Sequence, residues 1–268
     1  IFLIRKITRN FSIPSILKFS RREFSMNFSI LLKPSLKYAF TALGAALIFK
    51  SDILVISSTF CITEVPNYEA LIRVILAIQT VTFLITNSSS TSYSQMYADN
   101  NLASIKILLF KNIKFVMGLL AIPVVFLAFF ISDVINVWLG PGNFLGYSIT
   151  YVYLIFLILE VHHVMHAQAV MATGRIIFYK TALIAGILNL FFSVLLSFKY
   201  GLFGIALGTL LSQLITNNWY APFISFRLFR ISYKEYAQLF FPILGYFTSL
   251  TFVGIFFKYL TNIVSMNF

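Results

Sequence analysis

Four ionisable side chains fall inside stretches that are otherwise apolar. Lys50 and Asp52 lie in "FKSDILVISSTF", Arg73 in "LIRVILAIQ" and Glu160 in "LILEVHHVMH". A charge at the centre of a membrane-crossing helix costs about 2.5–3.5 kcal/mol on insertion scales, so such residues face a bundle interior or a watery cavity. Two chemistries are open to these four. They can pair internally and hold helices together. Alternatively they line a hydrophilic path, with Lys50 and Arg73 receiving an anionic group and Asp52 and Glu160 serving as counter-ions or proton acceptors. At about 1.5 Å per residue, Lys50 lies about 15 Å and Arg73 about 8 Å from one end of their segments. That stagger suits an anion moving across.

The histidines of "EVHHVMH" add to this set. His162 and His166 are four apart and share a helix face, while Glu160 and His163 share another. A third metal ligand is not evident nearby, so no metal or cofactor is expected. Histidine titrates near neutral pH, which allows a proton-linked role beside simple polar packing. Elsewhere Gly204, Gly208 and Ser212 follow Gly201 at four-residue spacing, a stripe that lets another helix approach closely. The run "NSSSTSYSQ" at 87–95 is either the end of a helix or a polar face that cannot meet lipid. Cys61 is the single cysteine, which excludes an internal disulfide and a multi-cysteine metal site.

The elements that carry these residues follow from composition. Of 268 residues, 59% are hydrophobic and 10% charged, with a mean hydropathy of +0.90. A water-soluble domain would need far more charge to cover itself. The fold class expected is an all-α polytopic membrane protein. Seven apolar segments are long enough to span a bilayer, at about 36–60, 68–90, 112–131, 147–172, 177–198, 201–221 and 236–258. Residues 1–34 read as a basic linker drawn to anionic membrane lipid, and 35–268 as the helical bundle. The first residue is Ile, which reads as a fragment lacking its N-terminal part.

Sixteen of the 20 Lys and Arg then fall on one side of the membrane. Eight lie in 1–37; the others are Lys106, Lys111, Lys114, Arg175, Lys180, Arg227, Arg230 and Lys234. The opposite side has Lys199 and Lys258. By the positive-inside rule the N-terminal segment is cytoplasmic. This asymmetry accounts for the net charge of +12 without a nucleic-acid partner.

Three stretches carry a resemblance: "KYGLFGIALGTLLSQLITNNWYAP" at 199–222, "AVMATGR" at 169–175 and "KYAFTALGAALIFKSDILVIS" at 37–57. Together they resemble the polysaccharide flippases (O-antigen and capsule-repeat translocases) of the multidrug/oligosaccharidyl-lipid/polysaccharide exporter superfamily. The resemblance implies two pseudo-symmetric bundles around a central cavity, of which this chain is the C-terminal one. It implies alternating access in a bacterial inner membrane and a cargo of undecaprenyl-pyrophosphate-linked oligosaccharide. Other components of polysaccharide export are the implied partners. Lys50 and Arg73 match the cationic cavity of that family by position and charge. Two alternatives are a drug or cation antiporter of the same superfamily and a membrane-embedded polysaccharide polymerase. The polymerase fits poorly, because the longest outer loop, at about 132–146, is short and has only Asp133 as a charge. No enzyme activity is expected.

Overall fold

The computed structural model describes residues 21–60 and 62–266, all helix, turn or irregular with no strand among them. Most of the expected linker, 1–20, lies outside the described residues. Eight helices follow in order: α1 Arg21–Thr59, α2 Val65–Ser88, α3 Ser90–Ala98, α4 Leu102–Leu139, α5 Tyr147–Met171, α6 Tyr179–Ile215, α7 Asn217–Phe229 and α8 Tyr233–Met266. A short 3-10 turn, Ile62–Glu64, joins α1 to α2. The chain is an all-α polytopic bundle.

Six helical stretches are long and apolar enough to cross a membrane, where the sequence predicts seven. The difference lies in the fifth, Tyr179–Phe229, whose 51 residues double back on themselves. Gly201 breaks the helix at φ +61° and ψ −143°, a backbone that favours a residue without Cβ. The two arms then close tightly. A Cβ at Gly204 would stand 2.2 Å from the Leu196 carbonyl oxygen, and one at Gly208 2.5 Å from the Ser193 nitrogen. Ser212, also buried, turns its hydroxyl onto the Thr209 carbonyl of its own helix at 2.8 Å. The small-residue stripe therefore seats the second arm against the first. Two helical arms joined at Gly201 thus stand where the sequence predicts two segments.

Several helices outrun their expected bounds, and the reason is visible in α4. Ile105, Leu109, Ile113, Val116 and Leu120 are fully buried at three- and four-residue spacing, while Lys111 and Lys114 stay exposed. A helix with one apolar stripe can run past the lipid into water. It starts at Leu102, where the Asn101 side chain accepts from the Ser104 amide at 3.0 Å. Lys106 and Lys111, which fall between the expected segments 68–90 and 112–131, are thus helical. The same holds for residues 21–34, expected as linker, which are the first turns of α1. The "NSSSTSYSQ" run is helical too, stepping from α2 into α3 at Ser89. There Asn112 donates to Ser89 Oγ at 2.9 Å and to the buried Tyr93 hydroxyl at 2.8 Å.

Tertiary contacts fix which helix ends lie together. Lys106 and Glu235 pair at 2.7 Å, joining the starts of α4 and α8. Ser94 Oγ, midway along α3, donates at 2.8 Å to the carbonyl of Ala172, the residue that caps the end of α5. This is the basic end of the bundle. At the other end Lys258 meets Asp133 at 3.3 Å. Trp138 is half exposed just before α4 ends there, and Trp219 at the start of α7 near the basic end, positions that suit interfacial aromatics.

Candidate functional site

Asp52 and Lys50 are two residues apart on α1, and a helix turns about 200° over that interval. They cannot face the same way. The structure turns Asp52 inward, 5% exposed, and leaves Lys50 on the exposed outer face.

Asp52 is the centre of a buried polar cluster drawn from four helices. Its Oδ2 accepts from the Tyr153 hydroxyl at 2.8 Å, Thr209 Oγ1 at 2.9 Å and the Tyr68 hydroxyl at 3.3 Å. Its Oδ1 accepts from Ser193 Oγ at 3.3 Å. The Tyr68 and Tyr153 hydroxyls also touch each other. A second tier supports the first: Ser51 Oγ donates to Asn189 Oδ1 at 2.7 Å, and Asn189 Nδ2 donates to Thr209 Oγ1 at 2.9 Å. Ser193 and Thr209 come from opposite arms of the α6 hairpin, so the turn at Gly201 is what brings them together.

Beside the carboxylate lies a cleft of about 20 Å³, lined by Asp52, Tyr68, Tyr153 and Thr209 with Ile48, Phe49, Ile72 and Phe156. That volume holds about one water molecule. The donor set is oxygen alone, which suits a proton or a small hard cation and not a soft metal. The described residues contain no group of three His, Cys, Asp or Glu fit to hold a metal. Tyr68, Tyr153, Asn189, Ser193 and Thr209 were not singled out from sequence. Asn189, Ser193 and Ser197 at four-residue spacing inside "ILNLFFSVLLS" were the available signal, a polar stripe on an apolar helix.

A second cluster sits in the basic half of the bundle. Tyr153 and His166 both lie on α5, about 20 Å apart along it. His166 is fully buried; its Nε2 is 2.7 Å from the Tyr236 hydroxyl and its Nδ1 2.5 Å from Ser225 Oγ. His162 Nε2 meets the same Tyr236 hydroxyl. Phe226, Phe240 and Phe110 pack their rings around Tyr236. Glu160, 5% exposed, contacts His163 Nδ1 at 3.2 Å on a different face of α5.

The four intramembrane charges therefore do not converge inside this bundle. Among the described residues neither Asp52 nor Glu160 is ion-paired with Lys50 or Arg73. Arg73 pairs with Glu69 one turn away at 3.2 Å, its side chain 64% exposed. Lys50 and Arg73 stand on the outward faces of α1 and α2, the two helices that flank the Asp52 cleft. Comparison with protein-family models, with curated proteins and with solved structures returns no match for this chain.

Proposed function

We propose that the chain is the C-terminal bundle of a two-bundle membrane transporter that flips lipid-linked oligosaccharide by alternating access. One observation carries this reading: Lys50, Glu69 and Arg73 project from the surface of apolar helices α1 and α2. At about 6 Å (Glu69), 12 Å (Arg73) and 14 Å (Lys50) from the nearer helix ends, such charges are costly against acyl chains. That face is accounted for if it borders a wet cavity shared with a second bundle. Two cations against one partly exposed acid leave the face positive. A pyrophosphate-linked lipid headgroup is a cargo that such a face would receive, and the flippase resemblance names the same cargo.

The buried Asp52 cluster supports a second reading as well. A drug or cation antiporter would also need an interior carboxylate that can load and release an ion. Loss of the protein in its own cells separates the two. As a flippase, its removal is expected to abolish surface polysaccharide and leave lipid-linked repeats on the cytoplasmic leaflet. Normal display combined with new sensitivity to cationic dyes would favour the antiporter and overturn the flippase.

A further inference from the structure

We propose that His162, Tyr236 and His166 form a proton relay that holds one extra proton at a time. The claim stands on hydrogen-bond geometry and not on any cargo. A phenol hydroxyl has a single proton, yet both histidines present Nε2 to the Tyr236 oxygen. Tyr236 therefore donates to one imidazole and accepts from the other, and the two neutral rings carry opposite tautomers.

Ser225 sets the direction. Its hydroxyl lies 3.1 Å from the Pro222 carbonyl, which can only accept. Ser225 donates there and accepts from His166 Nδ1–H. His166 Nε2 is then bare and receives the Tyr236 proton, while His162 Nε2–H donates to the Tyr236 oxygen. The Tyr236 and Ser225 hydroxyls and both His166 nitrogens are thereby satisfied. Of the four ring nitrogens only His162 Nδ1 remains to take up a proton, and His162 is the partly exposed ring of the pair.

The relay step balances. A proton binds His162 Nδ1; the Nε2 proton passes to Tyr236, whose own proton passes to His166 Nε2. His162 ends neutral, the tyrosine is restored, and the positive charge has moved to buried His166. From α7 the pair meets Ser225 and Phe226, and from α8 Tyr236 and Phe240; from α4 Phe110 meets the tyrosine ring. The nearby titratable groups are His163 with Glu160 on α5, and Glu235, next to Tyr236 and held by Lys106 of α4. With both rings charged, the tyrosine proton would have no acceptor, so a second proton is refused.

The test is ¹⁵N NMR of the full-length protein labelled at histidine in lipid nanodiscs, with His162→Gln and His166→Gln assigning the signals. Above neutral pH the expected pattern is a bare Nδ1 on His162 and a bare Nε2 on His166. On acidification the pair is expected to take up one proton while it stays folded. In Tyr236→Phe the tautomer of His162 is expected to become mixed while His166 keeps its own. The same tautomer on both rings in the wild-type protein, or two protons taken up together, overturns the relay. Either result leaves the flippase reading to its own test.

Discussion

Replacing Asp52 by alanine is expected to cost the bundle about 3 kcal/mol or more. Four hydroxyls from α2, α5 and both arms of α6 donate to this one carboxylate. Each buried donor left without an acceptor costs about 1–3 kcal/mol. Some relief comes from Ser193 and Thr209, which can turn to the Ile205 carbonyl, 3.3 Å from each. Tyr68 and Tyr153 have only each other. Thermal unfolding of the purified protein in detergent reads this loss directly. Asp52→Asn keeps an oxygen for part of the network and is expected to lose less, yet it can no longer bind and release a proton or cation. Reduced transport in a stable Asp52→Asn protein would give the carboxylate a working role; full transport there would restrict Asp52 to architecture.

The second large effect is on transport alone. Lys50→Glu and Arg73→Glu are each expected to lower surface display of the polysaccharide at least tenfold, which corresponds to about 1.4 kcal/mol of lost interaction with the cargo. Both side chains are exposed and neither supports the core, so unfolding is expected to shift by no more than about 0.5 kcal/mol. The contrast with Asp52→Ala is the informative part: one class of variant fails to hold together, the other holds together and fails to work. Arg73→Glu also places two acids at i and i+4 with Glu69, a repulsive pair. Arg73→Gln is therefore the cleaner variant for separating loss of cation from new repulsion. Wild-type display in both charge-reversed proteins would remove Lys50 and Arg73 from the mechanism.

Much of this architecture was legible in the residues, because apolar runs of bilayer length and lysine and arginine at alternate ends leave few arrangements open. The seven expected segments appear as six stretches because Gly201 turns the chain back between two of them, a detail of backbone and not of hydropathy. The extent of α4 was missed because hydropathy ends where Lys106, Lys111 and Lys114 begin, although the buried stripe of Ile105, Leu109 and Ile113 continues beneath them.

The site was read only in part. Asp52 and the histidines announce themselves by their charge in apolar surroundings. Their partners do not, since a lone Ser193 or Thr209 looks like ordinary helix-compatible polarity until the hairpin brings both to one carboxylate. Nor does linear proximity show that Lys50 and Asp52 point in opposite directions; the 200° between them decides that.

The central claim is that the outward face of α1 and α2 is wet. A membrane-impermeant thiol reagent tests it, in a cysteine-free background for which Cys61 is the one replacement needed within these 268 residues. In full-length protein carrying Cys61→Ser, Lys50→Cys and Arg73→Cys are expected to react, while Phe252→Cys, on an exposed apolar face of α8, stays protected by lipid. If positions 50 and 73 resist the reagent as completely as position 252, that face borders acyl chains and no cavity lies there.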